Sequence, residues 1–208
     1  EPNNPTEALR AVSDGLKAIH TGRPGPLMLV LPEDLLDDKV TGEVTPVSST
    51  AQGPAADRAA VRQILKWLAA SERGAILAGG GVLRARATKR LVALSEALGV
   101  PVIASWRRPD VFPNDHPNYL GMTGYWGTPI ANEKCKTADL IVAVGTRIAE
   151  CSSSSWYRDF TFSIPPTRLV HIDIDPAEIG RNYPTELGVV ADARLALGAL
   201  ARAAAGRA

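Results

Sequence analysis

The chain has 208 residues, 45% of them hydrophobic and 22% charged, and its 23 basic side chains nearly balance 22 acidic ones. A net charge of +1 makes no electrostatic case for nucleic acid or an anionic membrane as partner. No apolar run nears the ~20 residues of a membrane span, and the opening residues carry no signal-peptide pattern. Two cysteines and three histidines, with no Cys-x-x-Cys, argue against a metal site. The expected setting is soluble, reducing and cytoplasmic. A chain of this length buries roughly 70% of its unfolded surface and needs no staple.

Residues 6–20 read as an amphipathic helix, with Leu9, Val12, Leu16 and Ile19 on one face and Gly22 placed to stop it. Leu27-Met28-Leu29-Val30-Leu31 reads as a strand buried on both faces, ended by Pro32. The apolar faces of both pieces are expected to pack onto another surface. Residues 39–57 are rich in Thr, Ser, Gly and Pro, without periodicity, and read as a linker.

Beyond the linker the pattern turns regular. Val61, Ile64, Leu65 and Leu68 mark a helix, and Ala75-Ile76-Leu77-Ala78 a short strand running into Gly79-Gly80-Gly81. A helix follows with Ala87, Leu91, Leu94 and Leu98 on its stripe, capped by Gly99, and Pro101-Val102-Ile103-Ala104 is the next strand. Residues 105–128 read as irregular, 129–137 as a helix, and Leu140-Ile141-Val142-Ala143-Val144 as a strand ending at Gly145. Leu169-Val170-His171-Ile172 is a further strand. Asp175-Pro176-Ala177-Glu178 then looks like a helix start, with Asp as cap and Pro at the first position. Gly188-Val189-Val190-Ala191 leads through Asp192 into a last helix. Strands alternating with helices predict a doubly wound, parallel, Rossmann-like α/β sheet from about residue 57 onward.

In such a sheet, ligands sit at the carboxyl ends of the strands. There Gly79, Gly80 and Gly81 either hold a phosphate on backbone amides or simply make a tight turn. Arg84 stands where a dinucleotide fingerprint has its third glycine, and Ser105 where it has a ribose-binding acid, which disfavours nicotinamide-dependent hydride transfer. Arg147 either meets a pyrophosphate or pairs with Glu150. Asp173 is placed to accept from a ribose or an adenine amino group, whereas Asp175 and Asp192 are placed as helix caps. The serines at 152–155 read as a flexible loop, with no Gly-x-Ser-x-Gly elbow. His171, inside a strand, reads as a core residue. No catalytic constellation assembles.

These motifs carry a resemblance. Gly22-Arg23-Pro24-Gly25-Pro26 with the run after it resembles the end of the pyrimidine-binding domain of acetolactate synthase-like thiamine-diphosphate enzymes. Four further features resemble the central domain of that family, in order: the Gly79-Gly80-Gly81 turn, Gly121-Met122-Thr123-Gly124, Val144-Gly145-Thr146-Arg147, and the run His171-Ile172-Asp173-Ile174-Asp175-Pro176. The resemblance implies a remnant of the pyrimidine-binding domain at 1–38, a linker at 39–57 and a central nucleotide-binding-like domain at 58–208.

It further implies a parent enzyme, a lyase or transferase acting on a 2-oxo acid by decarboxylation and carboligation. Thiamine diphosphate and Mg²⁺ would be bound outside this segment, which is not catalytic alone and contributes no metal ligand. The expected partners are the remaining domains of the parent and further copies, as a dimer or tetramer. In some relatives the central domain binds the ADP portion of FAD, or ADP; in others it is an empty scaffold. Carried over by motif, the binding positions are Gly79, Gly80, Gly81, Arg147, Asp173, Ile174 and Asp192. Two places depart from the flavin-binding relatives: Thr123 replaces a His, and Ile148-Ala149-Glu150-Cys151 replaces an acidic pair and second Arg. The alternative is a non-catalytic module that binds ADP or FAD.

Overall fold

A computed structural model describes residues 2–40 and 53–206 of the chain, which fall into two compact units, Glu1–Gln52 and Gly53–Ala208. Most of the linker predicted at 39–57 lies outside the described residues.

In the first unit, helix α1 (Pro5–His20) starts where Asn4 accepts a hydrogen bond from the Glu7 amide at 2.9 Å. Pro5 supplies the fixed φ of the first turn and Glu7 favours the amino end of the helix dipole. Gly22, at φ +62°, turns the chain away beyond the Thr21 cap. The predicted strand 27–31 is not one: it runs without a strand partner among the described residues. Its apolar run supplies side chains to bury, but a strand exists only through hydrogen bonds to a neighbour. Leu9 and Leu29 are half-buried while Leu16 and Leu31 are exposed, so the expected cover for these faces is partial.

The second unit is a six-stranded, all-parallel sheet in the order β3-β2-β1-β4-β5-β6. Its elements are α2 (Arg58–Ala70), β1 (Ala75–Ala78), α3 (Gly80–Arg84), α4 (Thr88–Leu98), β2 (Val102–Ala104), β3 (Tyr119–Met122), α5 (Pro129–Thr137), β4 (Leu140–Val144), β5 (Arg168–Asp173), β6 (Leu187–Val190) and α6 (Ala193–Ala205). The strand order reverses between β1 and β4, which makes their carboxyl ends the switch point.

Alternation along each strand divides the core into two layers. Ile76, Ala78, Val142, Val144, Val170 and Ile172 pack with Ile64 and Leu65 of α2, Leu91 and Leu94 of α4, and Leu197 and Leu200 of α6. Ala75, Leu77, Ile141, Ala143 and Leu169 face the opposite way, against Ala131 and Cys135 of α5 and the ring of Phe162. Burial on both faces explains why β1 and β4 read as unbroken apolar runs. Each Leu or Ile side chain fully removed from water contributes about 1.5–3 kcal/mol. Asp139, just before β4, accepts hydrogen bonds from the Ser71 hydroxyl and from the Glu72 and Arg73 amides, tying the α2–β1 turn to the sheet. Burial works to raise its pKa, but these donors together outweigh it and hold the carboxyl below its ordinary value.

Three predicted features change. The stretch 105–128 is not wholly irregular, since it contains the edge strand β3. That strand is only half-buried, carries Gly121 at φ +97° and pairs with β2 through a register shift, so it has none of the apolar signature of the inner strands. The helix start at Asp175 yields one 3₁₀ turn, Pro176–Glu178, in which Asp175 accepts from the Ala177 amide at 3.0 Å. Gly180 at φ +74° lies just beyond, and the chain turns there. The serines at 152–154 are buried and hydrogen-bonded, not a flexible loop.

Candidate functional site

The carboxyl edge of the sheet gathers the predicted positions into two groups. The turn after β1 meets the loop after β4: the Gly79 amide donates to the Val144 carbonyl and the Gly81 amide to the Gly145 carbonyl, both at 2.9 Å. The glycines are small because these backbones touch. A Cβ on Gly81 would lie 2.7 Å from the Gly145 Cα, and one on Gly79 would collide with the Gly145 carbonyl oxygen. The Gly80 position is covered by Arg108, whose Nε stands 2.8 Å from where a Gly80 Cβ would be. Arg147 is exposed; its guanidinium makes no ion pair among the described residues, and Glu150 accepts instead from the Ser155 hydroxyl at 2.9 Å.

The second group lies at the ends of β5 and β6. Asp173 is buried and accepts from the Asp175 amide at 3.0 Å; burial foremost raises its carboxyl above the ordinary range. Asp192 caps α6, one of its oxygens accepting from the Arg194 and Leu195 amides at 2.8 and 3.0 Å. The Gly53-Pro54 segment runs beside it: the Asp192 amide donates to the Pro54 carbonyl at 2.8 Å. A Cβ on Gly53 would lie 2.8 Å from the Asp192 Cβ and 3.2 Å from the Ile174 Cδ1.

Between the groups sits a feature that no local pattern announces. The Thr146 hydroxyl donates to the Ser105 hydroxyl at 3.0 Å, and Ser105 in turn shares a 3.0 Å hydrogen bond with Ser152. All three are at most 6% exposed. The His171 ring, from β5, reaches the Thr146 carbonyl through Nε2 at 2.8 Å. Burial lowers the His171 pKa more than that carbonyl raises it, so the ring stays neutral and donates from Nε2. His171 is thus a bonded core residue. The Thr123 hydroxyl, fully buried, has no partner among the described residues, which costs about 1–3 kcal/mol for a stranded polar group. Ser105 could be singled out from the strand end it occupies; its partners could not.

Chemically the edge offers hydroxyls, one neutral imidazole and a protonation-prone carboxyl. No group of three His, Cys, Asp or Glu side chains that could hold a metal ion occurs among the described residues, and Cys135 and Cys151 are free thiols. No helix of the described residues is long and apolar enough to cross a membrane.

Residues 61–200 match the family model for the central domain of thiamine pyrophosphate enzymes. A "Probable acetolactate synthase large subunit" of Methanocaldococcus jannaschii is 36% identical over 180 residues, covering 84% of this chain and 30% of the relative. The acetolactate synthase isozyme 3 large subunit of Escherichia coli is 31% identical over 182 residues, covering 85% and 31%. The solved benzoylformate decarboxylase of Polynucleobacter necessarius superposes with a TM-score of 0.76 over 97% of this chain and 37% of its own, at 23% identity, a likeness of fold. The chain spans about 30% of the length of the curated relatives it matches.

Proposed function

We propose, on the premise that this chain belongs to the thiamine pyrophosphate enzyme central-domain family, that it is the middle α/β body of a longer, acetolactate synthase-like enzyme. The parent acts on a 2-oxo acid by decarboxylation and carboligation. The observation that carries this reading is the coincidence of the family match with one complete sheet: residues 61–200 contain every strand from β1 to β6. Thiamine diphosphate, held by other parts of such an enzyme, would supply the nucleophile and electron sink that decarboxylation of a 2-oxo acid needs.

That cofactor and its Mg²⁺ do not fit the described residues here. A divalent cation of this kind takes oxygen ligands and usually needs carboxylates, but no three His, Cys, Asp or Glu side chains come together to hold one among the described residues, and Asp173, Asp175 and Asp192 each already accept backbone amides. The chain's own contribution is mechanical: a rigid body that spaces the catalytic parts of the parent and supports packing between copies. The parent works as a cytoplasmic homo-oligomer.

The test is to express the uninterrupted gene product and follow consumption of 2-oxo acids such as pyruvate. Activity that appears only with thiamine diphosphate and Mg²⁺ supports the reading. A gene product that shows no such activity toward a panel of 2-oxo acids and binds neither cofactor contradicts it.

A further inference from the structure

We propose that the switch-point crevice of this chain is a sealed structural joint that takes no ADP-type nucleotide, because the loop leaving β4 fills the place of the ligand's diphosphate. A diphosphate at this edge needs converging free amides and the close approach that glycine permits. Here both are spent on the protein itself. Gly79 and Gly81 give their amides to the Val144 and Gly145 carbonyls, and the space beside Gly81 holds the Gly145 Cα. Beside Gly80 the Arg108 side chain takes up the space, its Nε 2.8 Å from where a Cβ would stand. Arg108 is itself tied back, donating from a terminal guanidinium nitrogen to the Arg107 carbonyl at 2.8 Å.

The loop that closes the joint is fastened on three sides. Toward β2, Thr146 and Ser152 both bond to Ser105. Toward β3, the Tyr125 amide donates to the Cys151 carbonyl at 3.3 Å, and Gly124 packs so closely there that a Cβ would overlap that oxygen. On the far side, the Asn182 side-chain amide donates to the Arg147 and Ile148 carbonyls at 3.0 and 3.2 Å, and the Trp156 indole to the Ile148 carbonyl at 3.0 Å. Ile148, Ser154, Ser155 and Trp156 all take positive φ, between 47° and 58°. A β-branched residue at positive φ is held there only when its surroundings over-determine it. The far end of the crevice is closed in the same way, since Gly53 and Pro54 lie against Asp192 and Ile174. Of the positions that the resemblance assigns to a nucleotide, Arg147 alone presents an unengaged side chain.

This inference is independent of the parent's reaction. Its test is calorimetric titration of the 208-residue chain, shown to be folded by a cooperative melt, with ADP and with FAD at up to millimolar concentration. Amide hydrogen exchange is followed in parallel at Gly79, Gly81 and residues 145–156. The expected result is no saturable heat, with slow exchange at Gly81 unchanged by either nucleotide. Binding that leaves those amides untouched lies elsewhere and also leaves the joint sealed. Saturable binding that alters exchange at Gly79, Gly81 and the 145–156 loop overturns the inference. So does unprotected exchange at Gly81 before any nucleotide is added.

Discussion

The hydroxyls of Ser105 and Ser152 meet 3.0 Å apart in the interior although 47 residues separate them in the chain. Thr146 donates to the same Ser105 oxygen, so Ser105 is the centre of the set and Ser152 its end. Replacing Ser152→Ala removes one hydroxyl of one hydrogen bond and is expected to cost about 1 kcal/mol. Ser105→Ala takes its bond from the Ser152 hydroxyl and its acceptor from the Thr146 hydroxyl, which keeps the Ile148 amide at 3.4 Å, and is expected to cost about 2 kcal/mol. Urea unfolding of the two variants checks the order; a Ser105→Ala cost equal to or below that of Ser152→Ala would show that the three hydroxyls do not act through Ser105.

Two glycines with positive φ separate conformational cost from steric cost. Gly99 caps α4 at φ +63° with nothing within 4 Å of a Cβ. Gly99→Ala therefore bears only the left-handed backbone cost, about 1–2 kcal/mol. Gly124, at φ +96°, would drive a Cβ into the Cys151 carbonyl. Gly124→Ala is expected to cost about 3 kcal/mol or more, because the neighbour is backbone that is itself bonded. Thermal melts of both variants, side by side, give the comparison.

Much of the fold was legible because the inner strands are buried on both faces. Ala75 to Ala78 and Leu140 to Val144 are apolar without a break, and Asp192 stands at the start of α6 as a side-chain cap. The edge strand β3 was not legible, since a half-buried strand holding a glycine carries neither alternation nor an apolar run. Nor was the absence of a strand at 27–31, because pairing depends on a neighbour that the run itself does not encode. At the carboxyl edge the glycines were legible as a tight turn. That their amides serve the β4 loop was not, because Gly81 and Gly145 are far apart in sequence and no periodicity links them.

His171 sets a pH response. Its folded-state pKa lies below the ordinary histidine value, chiefly through burial. Its contribution is therefore complete above the unfolded pKa, about 6.5, and is lost as pH falls from there toward the folded value, where the unfolded chain takes up a proton first. Asp173 acts in the same region of the core with the opposite sign, since its raised carboxyl pKa favours folding at low pH. In His171→Gln, which keeps a side-chain N–H for the Thr146 carbonyl, the loss of stability between pH 7 and 5 should shrink. Denaturant midpoints across that interval decide it: an unchanged pH slope in the variant would assign the response to other groups.

The central claim is that this chain is the body between the catalytic parts of a thiamine-diphosphate enzyme and holds no part of the cofactor itself. Calorimetric titration of thiamine diphosphate with Mg²⁺, into the 208-residue chain and into the uninterrupted gene product, tests it most directly. The account predicts saturable binding to the intact product and none to the isolated chain. Saturable binding to the isolated chain, or none to the intact product, would contradict it.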